Sequence, residues 1–279
     1  MTIDHPATPV PHRIGFPMRP YASAQNIGTR TEQCDATAVH TAPGSARAYV
    51  VCDGIGSSPA IREWTVTAAR RVARAASRRA DAEAGLRHVY NGYAADPDRQ
   101  DPDEARYMPS AAVVVAVVVP GQPLQLAWAG DSRAYLLVGG IARRLTADHN
   151  LRRVYPPTAT YPHGGNRNVI TSFLGDAYGD KKVRARYAHP AIESVTVPLD
   201  GDCRLLLASD GAYEPHEDAG HDLFTELAYE PLGATAKEFV DRAVATSLRT
   251  TAAGGTEKPR RTAHADNASV LLVDLADLG

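Results

Sequence analysis

Two antiparallel β-sheets packed face to face, with helices outside them, make the α+β fold this chain predicts. Three observations carry it. The elements run strand, helices, several strands, helix, strand. Short Gly-containing turns join the middle strands, as antiparallel neighbours allow. Too few helices fall between strands for a doubly wound parallel sheet. Nothing in the middle of the 279 residues resembles an interdomain linker, so residues 21–279 are expected to form a single domain behind an extended, proline-rich arm at 1–20.

Each element follows from its local pattern. Residues 46–52 read as a buried strand ending at Asp53. A Gly-Ile-Gly-Ser-Ser-Pro turn comes next, in which Ser58 offers a capping hydroxyl and Pro59 suits the first helical position. Ile61, Trp64, Thr65, Ala68, Val72 and Ala75 keep one face of the helix, with Arg62, Arg70 and Arg74 on the opposite, solvated face. A second helix is expected over 81–95, then a charged linker over 96–109. The β-branched run 110–119 stops at Pro120-Gly121 and reads as a strand. Segments 124–130, 133–140 and 141–146 are expected to continue it as a meander. Residues 150–190 should be irregular, a loop near the site. Strands at 194–199 and 203–209, an amphipathic helix at 234–248, a basic loop at 250–264 and a last strand at 269–275 complete the order.

Composition narrows the function. A net charge of −2 gives no long-range attraction to nucleic acid or to a membrane surface. Cys34, Cys52 and Cys203 are far apart and form no CxxC pair, so they read as buried thiols in a reducing compartment. The N-terminus has no apolar stretch of signal-peptide length, and the run Ala111–Val119 is too short to span a bilayer. A cytoplasmic protein, monomeric by default, is expected.

Four short acidic segments carry the chemistry. They centre on Asp53, Asp131, Asp210 and Asp266. The first three follow an apolar run that reads as a strand, and the fourth precedes one. Carboxylates at strand ends can converge on one rim of a sheet, and clustered carboxylates need a cation. Oxygen donors without Cys or His partners favour magnesium or manganese over zinc. The histidines offer less: His149 is read as structural, His163 and His264 as facing solvent. Trp64 and Trp128 are read as packing, and Lys258, Arg260 and Arg261 as part of a flexible loop.

Set in order, Gly28-Thr29-Arg30…Asp35, Val-Cys-Asp53-Gly-Ile-Gly, Trp-Ala-Gly-Asp131-Ser-Arg-Ala-Tyr-Leu, Leu-Thr-Ala-Asp-His149-Asn, Asn168 to Gly175, Ala-Ser-Asp210-Gly and Ala-Asp266-Asn-Ala-Ser resemble the PPM-type (type 2C) metal-dependent serine/threonine protein phosphatases of bacteria. The resemblance runs from about Gly28 to Val273. It implies a four-layer α-β-β-α sandwich with two central antiparallel sheets. It implies two or three manganese or magnesium ions (Mn2+ or Mg2+), and hydrolysis of phosphoserine or phosphothreonine by water those metals activate. Asp53 resembles the carboxylate that bridges two metals, with the Gly54 carbonyl a ligand of the second. Asp210 and Asp266 resemble ligands of the first, and Asp131 the aspartate of a third, weaker site. Arg30 is similar to the arginine that clamps the substrate phosphate, and Asp35 to an acid beside the metals. The implied partner is a phosphorylated protein, the activity opposing a serine/threonine kinase. No Ser or Cys nucleophile is required.

Two positions depart from the family pattern. Cys34 stands where an acid is common, and Ile55 where many members carry a histidine. They support an alternative, a catalytically weak pseudophosphatase of the same fold that binds a partner. A third reading, hydrolysis of a small phosphate ester, would show as comparable rates on a phosphopeptide and an aryl phosphate.

Overall fold

The computed structural model describes residues 21–44, 46–199, 201–228, 231–253 and 264–275. The expected arm at 1–20 and the segment with Lys258, Arg260 and Arg261 lie outside them. In chain order the strands are β1 (Tyr21–Asn26), β2 (Ala36–Thr41), β3 (Arg47–Gly54), β4 (Ala111–Val118), β5 (Leu124–Ala129), β6 (Arg133–Val138), β7 (Ile141–Arg144), β8 (Glu193–Val197), β9 (Arg204–Ala208) and β10 (Ala268–Asp274). The helices are α1 (Pro59–Arg79), α2 (Ala82–Ala94), α3 (Pro97–Gln100), α4 (Pro102–Ala105), α5 (Leu151–Val154), α6 (Asp180–Tyr187), α7 (Asp210–Asp218), α8 (Leu223–Leu227) and α9 (Leu232–Ala253).

Two five-stranded sheets result, ordered β1-β10-β9-β6-β7 and β2-β3-β4-β5-β8, antiparallel throughout. Three apolar layers separate four structural ones. Val114, Ala116, Leu205, Leu207, Leu271 and Val273 fill the space between the sheets. Val113, Val115 and Val117 turn the other way, onto Ala68, Val72 and Leu86 of α1 and α2. Leu206, Val270 and Leu272 pack on Tyr213, Phe239 and Val240 of α7 and α9. Side chains alternate along a strand, so a strand covered on both faces must be apolar at every position. That is why 111–118 is buried throughout.

The start of α1 is set as its sequence suggests. Ser58 is extended, its hydroxyl accepts from the Ile61 N–H at 3.3 Å, and Pro59 follows. Ser58→Ala should cost about 1 kcal/mol, read as a fall of about 2–4 °C in Tm. Among the described residues no helix is long and apolar enough to cross a membrane.

The structure departs from the expected meander at one point. β5 pairs with β4 and β8, whereas β6 pairs with β9 and β7 in the other sheet. The chain therefore crosses between sheets at Gly130-Asp131-Ser132. Gly130 makes the turn at φ +116, where a Cβ would lie 2.4 Å from the Ala112 Cβ. The expected linker 96–109 is also folded. Asp96 and Asp101 each cap a short helix that begins with proline. Between them, buried Arg99 donates to the Gly175 and Pro109 carbonyls at 2.5 and 2.7 Å. The 150–190 segment contains α5 and α6. β1, β2, α7 and α8 come without sequence warning. β1 and β2 are edge strands, half-buried and mixed in polarity, and α7 and α8 are short.

Candidate functional site

Strand register gathers the acidic segments. Ala208, at the end of β9, pairs with Arg133 at the start of β6 and with Val270 near the start of β10. Asp210, Asp131 and Asp266 thus leave one end of one sheet. In the facing sheet Asp53 pairs with Ala112 at the start of β4, which places it beside the Gly130 crossing. Asp35 sits just before β2, and its Oδ2 accepts from the Ser209 hydroxyl at 2.9 Å. The six acidic and basic side chains singled out from sequence, Arg30, Asp35, Asp53, Asp131, Asp210 and Asp266, therefore share one electrostatic neighbourhood.

Their crowding is costly. Burial first, then Asp35, Asp210, Asp131 and Asp266, pushes the Asp53 carboxyl well above the usual carboxylate range. Burial and then Asp210 do the same to Asp131. Asp35 is pushed up to about 7 by burial, against the lowering effect of the Ser269 and Ser209 hydroxyls. Asp210 is raised by burial and Asp266, although its Oδ1 accepts the Gly211 N–H at 2.6 Å. One oxygen, Asp131 Oδ1, is buried without a hydrogen-bond partner. An all-oxygen donor set, mutually repelling and with an orphaned oxygen, fits a hard divalent cation.

The arginine arrives on a tight turn. Gly28 has φ +62, and a Cβ there would stand 2.3 Å from the Asp266 carbonyl oxygen. That closeness lets the Thr29 N–H donate to the Ala265 carbonyl at 2.9 Å. Arg30 then donates through Nη2 to Asp266 Oδ2 at 2.5 Å, while its Nε has no hydrogen-bond partner. Asn267 fixes the same turn from beneath. Its Nδ2 donates to the Ile27 carbonyl at 2.9 Å, and its Oδ1 accepts the Cys34 N–H at 2.7 Å.

A cleft of about 480 Å³ opens above Asp210 and Asp266, with Arg30, Arg167, Asn168 and Glu214 on its walls. The 150–190 segment thus forms one side of it. Arg167 anchors that side, donating to both Asp218 oxygens at 2.9 and 2.6 Å. Glu214 is pushed up to about 7 by burial and by Asp210. Asn267, Arg167 and Glu214 were not singled out from the sequence. The first stands beside Asp266, and that adjacency was the available signal. The other two become neighbours only through the fold.

The departures from the family pattern take definite places. The Cys34 Sγ donates to the Ser58 carbonyl at 3.7 Å, and burial raises its thiol, so it offers no thiolate to the cluster. Ile55 is 40% exposed beyond the end of β3. His149 is fully buried, its Nδ1 accepting the Gly130 N–H at 3.3 Å and its Nε2 facing Glu193 at 3.2 Å. It therefore supports the sheet crossing. Trp128 is buried and donates to the Ala147 carbonyl at 2.8 Å, and His163 is exposed. All three cysteines are buried.

Comparison with known proteins gives a consistent result. Residues 25–154 match the protein phosphatase 2C family model. A probable protein phosphatase 2C of Oryza sativa subsp. japonica is 30% identical over 118 residues, covering 37% of this chain and 35% of that protein. The chain thus spans about a third of the length of that relative. In fold it is similar to an S. agalactiae serine/threonine phosphatase, with a TM-score of 0.64 at 18% identity, over 91% of this chain and 98% of that one. It is also similar to the catalytic domain of the serine/threonine protein phosphatase PstP in complex with 2 manganese ions, with a TM-score of 0.54 at 18% identity, over 91% and 96%.

Proposed function

From the match of residues 25–154 to the protein phosphatase 2C family model and from the geometry of the acidic cluster, we propose that this chain hydrolyses phosphoserine or phosphothreonine on proteins with the help of divalent metal ions. The observation that carries the proposal is the convergence of Asp53, Asp131, Asp210 and Asp266 beneath a cleft with an arginine at its edge.

Asp53 would hold the metal ions, together with the Gly54 carbonyl. Asp210 and Asp266 would complete one ion's set, and Asp131, with its orphaned oxygen, would serve a further one. Manganese or magnesium, when bound, would activate water and neutralise the phosphoryl oxygens. The protein's own groups do the rest. Arg30, on the cleft wall, would present a planar, permanently charged fork to the substrate phosphate. Asp35, held by Ser209, sits behind the cluster and fixes its geometry. Asn267 holds the Arg30 turn at a fixed distance from Asp266. Ile55 supplies no proton, so the leaving alkoxide would take one from solvent. The substrate would be a phosphoprotein produced by a serine/threonine kinase.

The test is phosphate release from a phosphothreonine peptide, with manganese or with EDTA. Release that needs manganese, and far exceeds release from an aryl phosphate, is the expected result. Folded protein that releases nothing with any metal would be a binding module. Equal rates on both substrates would indicate a small phosphate ester instead.

A further inference from the structure

A second group of metal-ligating side chains lies away from the carboxylates. It comprises His216, His221 and Glu226, whose ligand atoms all fall within 4.8 Å of one another. The backbone builds it. α7 ends at Asp218, and Gly220 then takes φ +71. This lets the Gly220 N–H donate to the Glu217 carbonyl at 3.0 Å and the His221 N–H to the His216 carbonyl at 2.9 Å. That glycine-terminated helix end folds His221 back over His216. Asp222 then caps α8, accepting the Phe224 N–H at 3.1 Å, and α8 presents Glu226.

The chemistry of His216 is settled by its partners. Its ring is fully buried and stacks on Phe239, with centroids 4.0 Å apart. Its Nε2 faces the Phe239 carbonyl at 3.0 Å, so Nε2 carries the proton. Nδ1 therefore keeps its lone pair and accepts a hydrogen bond from the His221 Nδ1–H at 3.0 Å. Burial holds the His216 imidazole in its neutral form. A carbonyl fixing the N–H of one ring nitrogen while the other keeps its lone pair as an acceptor is the tautomer a metal-ligating histidine needs. Arg242 occupies Glu226 Oε1 at 2.8 Å, leaving the second oxygen for a cation. Tetrahedral zinc sets its ligand atoms roughly 3.3 Å apart, close to the existing nitrogen pair.

We propose that His216 Nδ1, His221 Nδ1 and Glu226 hold a zinc ion, with water as fourth ligand, at the C-terminal end of α7. Two imidazoles and one carboxylate suit zinc, whereas the all-oxygen cluster suits magnesium or manganese. His221 accommodates the ion by moving its proton to its other ring nitrogen. The site lies about 9 Å along the α7 axis from Asp210, at 1.5 Å per residue. It ties α7 to α8 and, through the Phe239 carbonyl, to α9.

The test uses the whole protein with zinc chloride in excess magnesium, which fills the carboxylate cluster. Retained zinc is counted after desalting, its affinity is read by competition with a chromogenic chelator, and cobalt(II) replaces zinc for its visible spectrum. Wild type and Asp53→Asn should each retain a single zinc ion and show the intense bands of tetrahedral cobalt. His221→Ala and Glu226→Gln, at partly exposed positions, should weaken zinc by at least the tenfold to about hundredfold that loss of an outer-shell partner costs. The proposal is overturned if wild type retains no zinc, if Asp53→Asn loses it, or if the His221 and Glu226 variants bind it as wild type does.

Discussion

Asp53→Asn should abolish turnover while leaving the metal-free fold as stable as wild type or more so. Asparagine keeps the shape of the side chain and removes its charge. In the metal-free protein that charge is a burden, because Asp53 is crowded by Asp35, Asp210, Asp131 and Asp266. Removing one like charge from such a group relieves repulsion. Activity moves the other way. Losing a single preorganised electrostatic donor in an active site costs about 10²–10³ in kcat. Losing a carboxylate proposed to hold the metal ions should cost at least that much. Manganese separates the two effects. At a hundred times its dissociation constant a ligand stabilises by about 2.7 kcal/mol, which is roughly 5–10 °C for a domain of this size. Wild type should show that rise and Asp53→Asn should lose most of it, as should Asp210→Ala. An Asp53→Asn protein that keeps its turnover, or its full manganese shift, would remove Asp53 from the metal centre.

Much of this centre was legible because each acid stands beside an apolar run. Asp53, Asp131 and Asp210 end strands and Asp266 precedes one, so their order along the chain carries their position on the rim. Pairing between distant strands was not legible. A Gly turn after β5 looks like a hairpin, and nothing local says that β6 will join β9 instead of β5. At the crossing Gly130 lies against Ala112, a contact that exists only once β4 is in place. The short helices at 96–105 were a different kind of omission. Asp-Pro occurs twice there, a cap followed by a proline at the first helical position, and the signal was local. Edge strands β1 and β2 carried little signal because one side of each is half exposed. The His216 and His221 pairing also escaped, since two histidines five residues apart read as neither helix nor metal motif without the Gly220 turn that folds one on the other.

Arg133→Met should be the most destabilising single change outside the apolar layers, by about 3–5 kcal/mol. Arg133 begins β6, and its side chain is 9% exposed. It donates to both oxygens of Asp148 at 2.9 and 2.8 Å and to Glu217 at 2.6 Å. Its guanidinium lies 3.9 Å from the centre of the Tyr213 ring. Methionine matches its length and apolar stem but none of its charge. It would leave Asp148, itself largely buried, to its remaining ion pair with Arg144. A buried ion pair adds little when intact, yet breaking it strands the remaining charge, and the stranded charge costs more than the pair contributed. The consequence reaches the candidate site. Tyr213 donates its hydroxyl to the Asp131 carbonyl at 3.0 Å, so the arginine, the tyrosine and the acidic segment form one connected unit. Loss of Arg133 should lower Tm by about 10 °C and weaken manganese binding in the protein that remains folded. The double variant Arg133→Met with Asp148→Asn should recover part of the stability, because its second change removes the stranded charge. A double variant no more stable than Arg133→Met would show that packing against Tyr213, not charge, is what Arg133 contributes.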